Sequence, residues 1–334
     1  MNILSFNSYP ITFNNEVCFY NNTNKLRPYT MRFKFDNQDF DPHAISGGQL
    51  SSKDYTWNKV ASTNNIWDFT CEDKDWSNLF NHVSGISGNF SIIDSNIEEV
   101  SALDWFAAGP YSRYYYSELT SVNLNKSNCS SYKHVFDCCY KLQNANLDLN
   151  GVSNIDSLFL KCNGLRNAEL LDTYNLTNMY AAFNGCTVLS SMPLFDTSRV
   201  TNMDFTFDDC RNLSSMPLFD TSNVTSMNCT FRNCLQLSSF PLIDVSTVTS
   251  MKQTFYQCIR LKQIPDFTFS NDLCSVSAIF ENCSSVTAGT YETYNKLKDL
   301  PGLQSLTAHS RAFNYCGNNE LIPSGIGWKE ALIP

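Results

Sequence analysis

Charge is scarce in this chain. Only 16% of its 334 residues are Asp, Glu, Lys or Arg, and the 23 basic residues are outnumbered by 32 acidic ones, for a net charge of −9 and a pI near 4.9. A phosphate-binding surface needs clustered Lys and Arg, and no basic run exists, so a nucleic-acid partner is excluded from the expectation. No apolar stretch approaches the ~20 residues of a membrane-spanning helix, so no membrane insertion is expected. Histidine is limited to His43, His82, His134 and His309, none of them inside a nucleophile or metal motif. Fourteen cysteines include no Cys-x-x-Cys pair, and Cys138-Cys139 has no His cluster beside it, which leaves no zinc signature. Without a site signature the chain is expected not to be an enzyme and to carry no cofactor.

What is abundant is repetition. A Phe-x-x-Cys step occurs eight times, with phenylalanines at 136, 159, 183, 207, 231, 255, 280 and 313, at intervals of 23, 24, 24, 24, 24, 25 and 33 residues. The partner cysteines are Cys139, Cys162, Cys186, Cys210, Cys234, Cys258, Cys283 and Cys316. A fixed period in this range predicts a solenoid whose coils bury their apolar faces against their neighbours. Four residues before each phenylalanine stand Tyr132, Ile155, Met179, Met203, Met227, Met251, Val276 and His309; seven before stand Cys129, Val152, Leu176, Val200, Val224, Val248, Leu273 and Leu306. Apolar residues at i, i+3, i+7 and i+10 predict one face of a short helix in every coil. Asp196-Thr197-Ser198 and Asp220-Thr221-Ser222 would supply the oxygens that cap its first turn.

The other half of the coil has a strand rhythm. Leu189, Met192 and Leu194 recur as Leu213, Met216, Leu218 and as Leu237, Phe240, Leu242, with weaker copies at Leu142, Ala145, Leu147 and Leu165, Ala168, Leu170. In this Leu-x-x-Leu-x-Leu pattern alternate side chains enter the core. Pro193, Pro217, Pro241 and Pro265 lie in or beside it, so each strand is expected to be short. Together these features predict an α/β solenoid, a leucine-rich-repeat array of 23–25-residue coils with one short parallel strand and one short helix each. With strands about 4.8 Å apart, eight coils would stack to roughly 40 Å.

The unit from Leu218 through Phe219-Asp220-Thr221-Ser222-Asn223-Val224 and Met227 to Phe231-x-x-Cys234 resembles the BspA-like leucine-rich-repeat surface proteins. The resemblance covers roughly residues 125–320. Tyr29 to Phe35, followed by Trp57, Trp67-Asp68 and Trp76, is similar to the segment that often precedes such repeats. The resemblance implies attachment, either as a bacterial cell-surface adhesin or as a repeat array carried by a bacteriophage virion protein. It brings no catalytic residues. Residues 1–10 lack the basic region of an export signal, which favours a phage virion component (fibre, tail or capsid decoration) made in the host cytoplasm. The expected partners are other virion proteins, or a host-surface protein or glycan, with oligomerisation among the expectations for such an assembly.

Four regions follow from the pattern. Residues 1–88 read as a small β-rich domain, since Met31, Phe33 and Phe35 alternate with Arg32 and Lys34. Trp57, Trp67, Trp76 and Trp105 would form its core and the cap on the first coil, or else a docking surface. Residues 89–124 read as an irregular first coil with an insertion carrying Tyr111, Tyr114, Tyr115 and Tyr116, residues 125–287 as the solenoid, and 288–334 as the last coil and cap. In that cap His309 and Asn319 replace apolar residues, as an outer face meeting water would require.

Three features bear on sites. The cysteine of each Phe-x-x-Cys is expected to be buried and reduced, a small hydrophobe; side by side along a ladder, such cysteines lack disulfide geometry. Asp148, Asp172, Asp196, Asp220 and Asp244 recur once per coil, where they could bind calcium along the stack or close local turns with the Thr-Ser that follows. Strand alternation would turn Pro193 and Phe195, Pro217 and Phe219, and Pro241 and Ile243 outward as an apolar binding stripe continuing from Leu171. Alternatively, the chain turns after Leu194, Leu218 and Leu242 and folds Phe195 and Phe219 inward as a second core layer.

Overall fold

The computed structural model describes residues 131–324 and 327–329, together with seven strands ahead of them. Those strands are β1 Thr12–Phe13, β2 Glu16–Val17, β3 Tyr29–Phe35, β4 Tyr55–Lys59, β5 Ile66–Cys71, β6 Gly88–Ser95 and β7 Leu119–Leu124. Two more follow inside the repeats, β8 Asn144–Asp148 and β9 Asn167–Leu171. Trp76, Trp105, the tyrosine insertion and Cys129 lie outside the described residues, as do the side chains of Trp57 and Trp67.

β1 and β2 pair with each other, and the other seven strands form one sheet in the order β4-β5-β3-β6-β7-β8-β9. Pairing among β4, β5, β3 and β6 is antiparallel, whereas β6, β7, β8 and β9 run parallel. The leading strands and the first repeats therefore share a sheet, and β6 is where its pairing changes from antiparallel to parallel. Burial in β9 alternates, with Ala168 and Leu170 inside and Glu169 and Leu171 outside, the pattern of a strand with one face on the core.

Beyond β9 the strand copies change character. Pro193, Pro217 and Pro241 cannot donate to a ladder, and the pairing shrinks to single bonds such as Ser214 N–H to Ser190 C=O at 3.1 Å and Ser238 N–H to Ser214 C=O at 3.2 Å. The expected strand in every coil is thus present only in the early repeats. Parallel contact persists elsewhere as a chain of bridges linking Ser131, Asn154, Asn178, Asn202, Ser226, Ser250 and Ser275, one residue per repeat.

Among the described residues the expected helix is absent from the coils of Phe136 to Phe280 and reduced to one turn, Leu306–His309, in the last, and this is the main correction to the sequence reading. The segment around each phenylalanine is a run of turns. In the repeat of Phe183, the amides of Met179, Ala181, Phe183 and Gly185 donate to the next repeat at Asn202, Asp204, Thr206 and Asp208, at 2.8–3.0 Å. The intervening amides of Ala182, Asn184 and Cys186 close turns on the carbonyls of Met179, Ala181 and Phe183. Half the donors therefore look along the stack and half look back within the coil, which a helix cannot do because its amides bond within their own segment. The price is left-handed backbone two residues before and two after every phenylalanine, for example at Ala181 and Gly185, Phe205 and Asp209, Cys229 and Asn233. The i, i+3, i+7 spacing still points side chains inward, but successive turns satisfy it.

Apolar burial follows the repeat. Phe136, Phe159, Phe183, Phe207, Phe231, Phe255, Phe280 and Phe313 are all buried, and neighbouring rings lie 5.3–5.8 Å apart. The residues four before them are buried from Tyr132 to Val276. The 33-residue interval before Phe313 is occupied by helix α1, Thr290–Leu297, and the short helix α2, Leu306–His309. The chain then returns so that Gly327 and Trp328 offer their carbonyls to the amides of Arg311 and Phe313, at 2.6 and 2.9 Å, in place of a further repeat. His309 does not meet water as expected. It is buried, with its ring stacked on Trp328 at 4.2 Å and its Nδ1 2.7 Å from the Leu303 carbonyl.

Candidate functional site

The residues expected to form an outward stripe divide into two sets. Phe195, Phe219 and Ile243 are 8%, 5% and 6% exposed and belong to the core. Leu194, Leu218 and Leu242, the residues before them, are 68%, 62% and 59% exposed. The sequence-level stripe of Phe195, Phe219 and Ile243 is therefore inverted: these three point in and the leucines point out. Pro193 is exposed, Pro217 and Pro241 are half-buried, and Leu171 is 45% exposed.

Proline causes the inversion. In β9, which contains none, Leu170 is buried and Leu171 exposed. One coil later Met192 is buried, Pro193 and Leu194 both face out, and Phe195 returns to the core. Two consecutive outward residues require a tight turn rather than a pleat. Its geometry is explicit where Phe219 N–H donates to the Pro217 carbonyl at 3.0 Å and Phe267 N–H to the Pro265 carbonyl at 2.8 Å, three-residue turns centred on Leu218 and Asp266. Inside, Phe195 and Phe219 approach to 4.9 Å, and Phe219 lies 6.4 Å from Phe207, so these rings form a second aromatic layer against the main column.

The ladder of leucines has defined ends. In the coil before Leu194 its counterpart Leu170 is buried, and the exposed Leu171 occupies the position of Phe195. One coil beyond Leu242 its place is taken by Asp266, which is ion-paired with Lys296 of α1 at 2.5 Å.

Beside the leucines runs the aspartate column. Asp196, Asp220 and Asp244 are exposed, and each accepts the amide of the serine two residues on, at 2.9, 3.0 and 2.8 Å. Asp148 does the same with Asn150 at 2.9 Å. Of the two sequence readings, the geometry at these four positions is the local turn. No helix follows, so the caps expected of Asp196-Thr197-Ser198 are turns, and Thr197 donates instead to the Asp220 carbonyl of the next coil at 2.9 Å. Among the described residues no group of three His, Cys, Asp or Glu is placed to hold a metal ion. Hydrogen bonds from the side chain and amide of Ser198, Ser222 and Ser246 hold Asp196, Asp220 and Asp244 below the usual carboxylate range. Among the described residues no ion pair engages these three, and Arg199 adds a favourable charge interaction at Asp196, so the column presents negative charge that is partly offset at that one position.

The cysteines hold a role that the sequence reading missed. Among the described residues none is in a disulfide, but they are more than small hydrophobes. Cys162, Cys186, Cys210, Cys234, Cys258 and Cys283 each donate Sγ–H to the carbonyl of the phenylalanine in the preceding coil, at 2.9–3.3 Å. Burial pushes all six thiols up and takes Cys316 to about 12, which removes them from thiolate chemistry.

The repeats match a protein-family model, described as "Mycoplasma protein of unknown function, DUF285", over residues 130–240, 153–267 and 177–294. The repeat array is similar to that family. The three matches run together from residue 130 to residue 294, just under half of the chain, and begin 23 and 24 residues apart, one coil at a time. This is the BspA-like surface-repeat family that the sequence resembles. No curated protein matches the chain. One solved structure that it matches is described as "Crystal structure of TLR13-ssRNA13 complex", with 13% identity over 64% of this chain and a TM-score of 0.24. The match spans 40% of that chain's length. Among the described residues no helix is long and apolar enough to cross a membrane.

Proposed function

We propose that the repeats form a leucine-rich-repeat-type solenoid and that the chain is a non-enzymatic binding protein, attaching to a macromolecular partner through its outer face. One observation carries the reading: leucines at 194, 218 and 242 are held outward at the same position of consecutive coils, although a buried place for an apolar residue exists one position later. Exposed large apolar side chains in a regular row are characteristic of interaction surfaces. Parallel bridges at one residue per coil and the matched surface-repeat family support the solenoid.

The setting we propose is the bacterial cell surface. The matched family is described by a bacterial genus, and this favours the cellular alternative over the virion component inferred from the sequence. Two measurements test the reading. Protease added to intact source cells should remove the protein before lysis, and fluorescently labelled chain should bind intact partner cells saturably. Protection until lysis together with unsaturable binding would refute it.

A further inference from the structure

We propose that the ladder of Leu194, Leu218 and Leu242, with the aspartate column beside it, is a docking strip for a cationic amphipathic α-helix of a partner protein. The proposal rests on the binding reading above and names the partner's chemistry. Two features select the occupant. The first is charge. Leu194 and Asp196, Leu218 and Asp220, and Leu242 and Asp244 are each separated by one inward residue, so each coil presents an exposed apolar side chain and, two residues later, an exposed carboxylate. The serine bonds favour the ionised aspartates, no ion pair among the described residues engages them, and Arg199 offsets charge only at Asp196. An apolar row with a one-sided acidic border complements an apolar row bordered by Lys or Arg. It disfavours an anionic lipid surface, which attracts basic segments.

The second feature is spacing. Rings of successive coils stack at 5.4–5.6 Å through Phe183, Phe207 and Phe231. An α-helix repeats its apolar stripe every 5.4 Å turn, so a helix laid along the stack would set one apolar side chain per coil, at i, i+3 or i+4, and i+7. The strip is closed at one end by Asp266, whose partner is Lys296. That ion pair shows in miniature the contact expected along the border: an amine from a helix meeting a carboxylate of this face.

The test uses the full chain and three synthetic peptides read by fluorescence anisotropy. The first is a helical peptide with Leu at i, i+4 and i+7 and Lys along one flank; the second has Glu on that flank; the third is the first peptide scrambled. The Lys-flanked peptide should bind at least about tenfold more tightly than either control. The triple substitution Leu194→Ser, Leu218→Ser, Leu242→Ser should weaken it at least about tenfold. Asp196→Asn, Asp220→Asn, Asp244→Asn should weaken it less and flatten its salt dependence. Equal binding of the Lys and Glu peptides, no effect of the leucine substitutions at an unchanged melting temperature, or leucine-dependent uptake of the chain by phosphatidylcholine vesicles would each overturn the proposal. If wild type and the leucine variant bind intact cells alike, this strip is wrong and the binding function stands. If neither binds cells, the function itself is wrong.

Discussion

Cys210 donates its thiol hydrogen to the carbonyl oxygen of Phe183, 27 residues earlier, at 3.1 Å. The same carbonyl already accepts the amide of Cys186 in its own coil, at 3.1 Å. Both lone pairs are thus used, one to close a turn and one to pin the next coil. Thr206, Thr230 and Thr254 act alike one residue before their phenylalanines, donating to the carbonyls of Met179, Met203 and Met227 at 2.8–2.9 Å. A repeat built of turns leaves carbonyls that no strand or helix would satisfy, and small buried donors fill the gap.

Replacing Cys234 by Ala should lower stability by about 1–2 kcal/mol, since it removes a buried donor to Phe207 together with packed volume. Urea unfolding measures this. An unchanged midpoint would show that the thiol contributes nothing between coils.

Thiol reactivity should separate two classes. Cys274 is exposed, whereas the eight Phe-x-x-Cys thiols are buried. Native protein treated with N-ethylmaleimide near pH 8 should label Cys274 before any of the eight, and unreduced protein in denaturant should label all eight as well. Labelling of the eight at the rate of Cys274 in native protein, or their silence in denaturant, would contradict the packing described.

Left-handed positions give a backbone test. Gly185 has φ +76°, and a Cβ there would meet the Lys161 backbone at 3.2 Å. Gly185→Val should cost at least about 1–2 kcal/mol. Lys161→Gly, at φ 57°, should be neutral or mildly stabilising. Thermal melts of the two variants should therefore move apart, and equal shifts would argue for a helical segment.

Much of the fold was legible because the period is a packing statement: residues repeating at 24 share neighbours, and the buried phenylalanine column follows. The turn geometry was not read, because i, i+3, i+7 spacing is shared by a helix and by successive turns that point alternate groups inward. A signal did exist. The residue before the cysteine is Gly185, Asp209, Asn233 and Asn282 in four of the repeats, the types that tolerate positive φ best. Of the two readings of the outer face, the early turn that folds Phe195 and Phe219 inward agrees with the structure, and the outward stripe fails by one residue because it carries strand alternation through Pro193, Pro217 and Pro241. Proline breaks that alternation locally, so the leucine of Leu-Phe-Asp faces out where the period-2 rule places it in.

Carboxylate titration followed by NMR should find Asp196, Asp220 and Asp244 each with a midpoint below that of free aspartate. A depressed folded value means that the associated stability is present above about pH 3.9 and is lost as pH falls through the folded midpoint. Ser222→Ala should move Asp220 back toward the ordinary value, since that hydroxyl bonds its carboxylate at 2.7 Å. Midpoints at or above the free value would contradict the serine-closed turns described for these three residues.

The inversion of Leu and Phe decides which residues this protein shows to a partner, and two neighbouring substitutions test it. Phe219→Ala and Leu218→Ser should be compared by urea unfolding of the full chain. With Phe219 packed against Phe195 and Phe207 and Leu218 in solvent, Phe219→Ala should cost about 3–5 kcal/mol and Leu218→Ser no more than about 0.5 kcal/mol. A larger loss from Leu218→Ser than from Phe219→Ala would put the leucines in the core and contradict the account.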